Sequence, residues 1–196
     1  MGKVRKDINA LIKESNGKTR ARRAAEEWYQ NGKKTISEKS IQSTGQRFQP
    51  GKIYVFRYSP KYAMELPWYD ANPVVLALDP DKNNDVGVNL NLLPIKVKED
   101  MLDSIYRTFE SEIGRQSVGG MKNDATRQNR LSINWQDAKG FLKARGYDFA
   151  VRQYIPSRKS GQAVVSYENW ARIVLCDFAS LNGTTYGKLR YMFRNR

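Results

Sequence analysis

Residues 51–94, GKIYVFRYSPKYAMELPWYDANPVVLALDPDKNNDVGVNLNLLP, are the one stretch where strand formers, turn formers and aromatics are all dense, and they constrain the fold most. Ile53 to Tyr58 is a run of β-branched and aromatic residues opened by Pro50-Gly51 and closed by Ser59-Pro60, which predicts a short strand. Pro73 to Leu78 predicts a second. The segment Asp79-Pro80-Asp81-Lys82-Asn83-Asn84-Asp85 supplies side chains that favour turns, and Val86, Val88, Leu90 and Leu92 then fall on one face of a third strand. The pattern is a hairpin with a polar tip. Between the first two strands, Pro60 to Asp70 reads as an irregular loop pinned by Trp68 and Tyr69. Beside Arg57 and Lys61 the same rings are candidates for stacking on bases.

The flanks read as helices. Val4, Ile8, Leu11 and Ile12 form one stripe in residues 1–14, ended by Ser15-Asn16-Gly17. Thr19 caps a second helix through Tyr29, with Asn31-Gly32 as its stop, and residues 33–49 read as a linker or an arm laid over a neighbour. Pro94 opens a helix with Glu99 and Asp100 in its first turn and Leu102, Ile105, Phe109 and Ile113 as its buried stripe. Residues 114–130 lose periodicity and read as a surface loop. Asn134 caps a helix to Arg145-Gly146. Tyr147 to Ile155 alternates as a strand, Ser157 to Gly161 is a basic turn before Ala163-Val164-Val165, and Ser166 caps a helix carrying Trp170, Ile173, Val174, Phe178 and Leu181 to a stop at Asn182-Gly183. Residues 184–196 fit helix and strand spacing equally.

The expected architecture is α+β, a small antiparallel SH3-like barrel or curled sheet flanked by helices. Its strands fall near 52–58, 73–79, 86–92 and 148–155. Residues 1–50 form a basic helical N-terminal arm and residues 51–196 the core domain.

Charge narrows the partners. The net charge is +14 without a single histidine, and residues 1–50 hold twelve Lys or Arg against five Asp or Glu. Such a chain is drawn to polyanions, with nucleic acid first and anionic lipid second. Arg20, Arg22, Arg23, Lys33 and Lys34 are one candidate phosphate-facing group, and Arg115, Lys122, Arg127 and Arg130 are a second. The alternative for the first group is a solvated helix face with Glu26 and Glu27 as partners. The lone cysteine, Cys176, lies in the apolar run Ile173-Val174-Leu175-Cys176 and reads as a buried thiol rather than a nucleophile, having no histidine to activate it. One cysteine also rules out an internal disulfide. Zinc spacing, a glycine-rich phosphate loop and internal repeats are all absent. The carboxylates of DPDKNND are those of a turn, without a second acidic cluster nearby in sequence, so neither metal nor other cofactor is expected. The N-terminus is charged and no apolar run approaches the roughly 18 residues of a membrane span, so neither signal peptide nor anchor is expected.

Gly51-Lys52-Ile53-Tyr54, Phe56-Arg57-Tyr58-Ser59-Pro60-Lys61, Leu66-Pro67-Trp68-Tyr69-Asp70, Pro73-Val74-Val75 and Gly87-Val88-Asn89-Leu90-Asn91-Leu92-Leu93-Pro94 together resemble a pattern in tailed-phage virion proteins of the DNA end protector family of T4-like phages. The match covers about a quarter of the chain, in order and at similar spacing, behind a basic helical segment. Asn91 and Leu93 depart from the histidine and tyrosine often found there. The resemblance implies a non-enzymatic virion structural protein, assembled in the host cytoplasm, near the portal, neck or tail. It would contact double-stranded genomic DNA without reading sequence and protect its end, as a homo-oligomer among other virion proteins and without a membrane. Packaged DNA presents phosphate densely, so Arg and Lys contacts suffice for such a role. The alternative is a structural ring or adaptor (head-tail connector, neck, tail or baseplate) whose N-terminal arm laces subunits together.

Overall fold

The computed structural model describes residues 2–39, 47–65, 69–78, 83–105 and 135–194. Five antiparallel strands, β1 (Ile53–Tyr58), β2 (Val74–Ala77), β3 (Asp85–Asn89), β4 (Val151–Tyr154) and β5 (Lys159–Val165), lie in the order β4-β3-β2-β1-β5. The helices are α1 (Lys3–Glu14), α2 (Lys18–Lys39), α3 (described over 95–105), α4 (Trp135–Lys143), α5 (Trp170–Leu175), α6 (Phe178–Leu181) and α7 (Tyr186–Arg194). The α+β expectation holds.

The predicted hairpin is β2–β3, with Val75 opposite Asn89 and Leu76 opposite Val88. Alternation divides its side chains between two cores. Ile53, Val55, Val74, Leu76, Val86 and Val88 face a large aliphatic core shared with the helices. Tyr54, Phe56, Val75 and Ala77 face the other way, into a small core with Phe48 and Tyr154.

The sheet curls without closing. Its edge strands β4 and β5 are consecutive in sequence and joined by a single 3-10 turn, Pro156–Arg158, so the two edges must approach one another at that end. There the Ser59 amide donates to the Arg158 carbonyl at 3.2 Å, and the Ile155 amide reaches the Tyr58 hydroxyl at 3.4 Å. No β4–β5 ladder forms among the described residues, so the curled-sheet alternative is realised and the closed barrel is not. Across the concave face the Lys159 ammonium of β5 meets the Asp85 carboxylate of β3, although β1 and β2 stand between those strands in the ladder. Both residues are fully buried. The same carboxylate accepts from the Phe48 amide at 3.1 Å and pairs with Arg47 at 2.9 Å. This cross-sheet tie holds the curl in place of a ladder.

The helical N-terminus is packed onto the core. Val4 and Ile8 of α1 and Ala21, Ala25 and Tyr29 of α2 are buried in the aliphatic core, and both helices lie on α5. Alanines at the α2 contact let the helix axes come close, as interdigitated packing requires. Arg5 pairs with Glu99 and, at 3.2 Å, with Asp100, and its amide donates to Asp103, so the acidic residues in the second and third turns of α3, rather than in the expected first turn, fasten α1.

Several expectations need correction. Helix α2 runs through Asn31-Gly32 to Lys39, because burial of Tyr29 and its neighbours outweighs the weak propensity of two residues. Residues 33–39 are therefore helical rather than linker, Phe48 is buried, and 40–46 lie outside the described residues. Leu90–Leu92 is a 3-10 turn capped by Asn89, which still buries Leu90 and Leu92, and Asp148–Ala150 is likewise 3-10. The presumed basic turn contributes the first half of β5, a strand missing from the expected set. Ser166 precedes a 3-10 turn and makes no side-chain cap; the helix after it breaks at Cys176-Asp177 into α5 and α6, which ends at Asn182-Gly183 as expected. Residues 186–194 are helical. Tyr106, Phe109, Ile113, Asn134, the 114–130 loop and Trp68 lie outside the described residues. Tyr69 is 45% exposed rather than packed as a loop anchor.

Candidate nucleic-acid interface

Of the two predicted phosphate-facing groups, only the first lies among the described residues. On α2, Arg20 and Arg23 are exposed and three residues apart, which puts them on one face of the helix. Arg23 touches Glu27 at 3.1 Å in a solvent-exposed pair, the kind that yields readily to a better anion. Arg22 is engaged inward. Its guanidinium meets Asp177 at 2.7 Å, Asp177 caps the N-terminus of α6 through the Ser180 amide at 3.3 Å, and Glu26 accepts from the Asp177 amide at 3.2 Å. Arg22 thus fastens α2 to the α5–α6 junction. Lys33 and Lys34 continue the same helix, and Arg115, Lys122, Arg127 and Arg130 lie outside the described residues.

A second constellation lies where the loop after β1 meets the turn after β3. Asn91, 2% exposed, gives its Nδ2 hydrogens to the Asp70 carboxylate and, at 3.2 Å, to the Asn72 carbonyl. The Asp70 carboxylate accepts from the Asn72 amide at 3.1 Å, the Tyr29 hydroxyl donates to the same Asn72 carbonyl at 3.1 Å, and the Asn91 amide donates to Asn89 Oδ1 at 3.0 Å. The network therefore pins an aperiodic loop to α2 and to the end of the hairpin. Burial first, then the Asp70 carboxylate, pushes the Tyr29 hydroxyl above its usual range, so it remains a neutral donor. Tyr154 is raised in the same direction for the same two reasons.

Two clefts open on either side of this junction, and Tyr69 and Asp70 line both. One, of about 210 Å³, is bounded by Tyr29, Gln30, Asn72, Asn91 and Phe178. The other, of about 190 Å³, is bounded by Tyr58, Asn89, Arg152, Tyr154 and Phe193. Sequence reasoning missed this constellation as a site. Leu66 to Asp70 and Gly87 to Pro94 stood out only as family-like runs, and no periodicity relates Asp70 to Asn91. Tyr29 and Arg152 carried no signal at all.

Cys176 is buried, and burial pushes its thiol up to about 12, the opposite of what a nucleophile needs. Among the described residues no three His, Cys, Asp or Glu side chains gather as a metal site, and no helix is long and apolar enough to cross a membrane.

The fold and surface define a class, that of a small basic α+β protein with an open curled sheet, cationic helical flank and polar loop junction. Within it the chain belongs to the phage T4 terminal DNA protecting protein family, whose model matches residues 1–191. The match takes in the helical N-terminus, the sheet and the first two thirds of α7, far beyond the quarter of the chain that carried the resemblance. No curated protein sequence and no solved structure matches the chain.

Proposed function

We propose that this chain is a non-enzymatic component of the phage particle that binds the end of packaged double-stranded DNA and shields it. The observation that carries this reading is the family match over residues 1–191. A net charge of +14 supports it, because phosphate contacts alone give a protein affinity for DNA of any sequence. In this proposal Arg20 and Arg23 meet phosphate directly, and Lys33, Lys34, Arg115, Lys122, Arg127 and Arg130 extend the contact. Arg22 contributes by holding the helix that presents them. Work at the portal, neck or tail, as a homo-oligomer beside other virion proteins, belongs to the same proposal.

The rival is a ring or adaptor whose N-terminal arm laces subunits. Burial of Val4, Ile8, Ala21, Ala25 and Tyr29 in the chain's own core weighs against an arm free to cross to a neighbour.

Exonuclease digestion of linear duplex DNA tests the proposal. The full chain is expected to slow digestion from the ends, with binding that falls steeply as salt rises and a salt slope reduced by about one for each of Arg20→Gln and Arg23→Gln. A chain that ignores DNA at low salt yet forms rings would establish the rival. Magnesium-dependent cleavage of the ends would overturn the non-enzymatic reading.

A further inference from the structure

We infer that the cleft between α2, α6 and the Asp70–Asn72 loop receives an unpaired nucleobase at a DNA terminus. This deepens the DNA-end reading and rests on it. The first observation is an unspent acceptor. Asn91 Oδ1 is buried without a hydrogen-bond partner, while Nδ2 of the same carboxamide is committed to Asp70 and Asn72. That commitment fixes the amide orientation, so what Asn91 has left to offer is an acceptor. A buried acceptor left unpaired is costly, and because Oδ1 is closed to solvent a base reaches it only as the Asp70–Asn72 loop gives way, whereupon the N–H it supplies recovers the loss. The exocyclic amines and ring N–H groups of bases are such donors.

Shape and charge select the same ligand. Volume near 210 Å³ falls below the roughly 300–1,000 Å³ of pockets for drug-sized molecules, which suits one ring system and not a base pair. Tyr29, Tyr69 and Phe178 supply aromatic walls, and Gln30 and Asn72 add amide or carbonyl groups suited to a base edge. Among the described residues neither Lys nor Arg lines this cleft, and Asp70 is part of its wall, so a phosphate is repelled from it. The adjoining cleft, reached past the same Tyr69 and Asp70, is where Arg152 lies. A base in the first cleft therefore brings its phosphate towards a cation in the second. Duplex ends fray, and an end whose last base is drawn aside and stacked is a poor substrate for enzymes that thread it.

The test uses the full chain and linear duplexes carrying 2-aminopurine at the terminal position or well inside, with a relaxed circle of the same sequence as an end-free competitor. Expected is a fluorescence change confined to the terminal probe, and preference for linear over circular DNA. Tyr69→Ala, at an exposed position, is expected to weaken end binding by about 5- to 150-fold, the worth of one base–aromatic stack, while binding to circles stays unchanged. Asn91→Ala also removes hydrogen bonds within the fold, so its result is read as the ratio of end to circle binding, which should fall. A terminal probe that stays silent while the chain still protects ends, with Tyr69→Ala neutral, overturns the base cleft and leaves the DNA-end reading standing. Failure to bind any DNA at low salt removes both. A free deoxynucleoside that fills the cleft as tightly as the duplex end overturns assignment to a DNA terminus.

Discussion

Among the described residues each side of the sheet buries one lysine, and the two solve the same problem in different ways. On the helix-covered side, Lys98 of α3 makes no ion pair with a carboxylate among the described residues, although Asp177 and Glu26 act on it from further off. Its ammonium donates to the carbonyls of Ile173 at 3.2 Å and Cys176 at 2.6 Å and lies 4.5 Å from the Phe178 ring. On the concave side, Lys159 meets Asp85, donates to Gln162 at 3.0 Å and lies 4.0 Å from the Phe48 ring. Desolvation lowers both lysines, but Asp85 works against it at Lys159, whereas Lys98 falls to about 7. The first lysine ends a helix by taking the carbonyls that α5 leaves unpaired, which is why the chain breaks at Cys176. The second ties β5 to β3. A cation held by carbonyl dipoles can lose its proton near neutrality; one held by a carboxylate anchors.

The contrast breaks most visibly at Asp85. Asp85→Ala leaves Lys159 buried without its counter-ion and should cost about 3–5 kcal/mol, read from urea unfolding midpoints. Lys159→Met in that background should recover part of the loss, and no recovery would show that the strand packing rather than the charge pair holds the curl. Gly87→Ala probes how tightly the aromatic side is packed. A Cβ there would come within 2.2 Å of the Val75 side chain and 2.8 Å of the Leu76 carbonyl, so a loss of about 1–3 kcal/mol is expected.

Lys98→Met sharpens the other side of the comparison. With its pKa at about 7 when folded and 10.5 when not, the unfolded chain binds more protons between those values, so stability rises with pH there and the burial penalty is complete below them. The rise is at most about 1.4 kcal/mol per pH unit. From about pH 9 upward the Cys176 thiol opposes it, because its pKa is raised on folding and that contribution is lost as pH climbs from 9.0 towards 12. The parent should therefore gain stability between pH 7 and 9, and Lys98→Met should lose most of that rise in thermal melts, keeping only what the lowered Lys159 adds. The smallest effect is Arg23→Gln, whose exposed pair with Glu27 should change stability by no more than about 0.5 kcal/mol.

The hairpin was legible from two apolar runs flanking a polar turn, with Val86 and Val88 on one face. The α1 stripe and its Asn16-Gly17 stop were legible too, and Asn16 and Gly17 take the left-handed backbone such a stop requires. Reading failed where a polar residue is buried by a distant partner. Lys159 and Asp85 looked like solvated turn residues, and β5 was lost with them. The break at Cys176 was invisible because it depends on Lys98, far away in sequence. For the site, the exposed α2 arginines followed from composition. The Asp70–Asn91 junction joins two aperiodic runs and is a product of tertiary structure alone.

The pairing of β5 with β1 carries a consequence for biosynthesis. Residues 159–165 leave the ribosome about a hundred residues after β1, and until they do, β1 presents a bare backbone edge to every other nascent copy. Truncation before residue 159 should accordingly give a chain that self-associates rather than a smaller folded unit, and chaperone dependence should concentrate in the interval between emergence of β1 and emergence of β5.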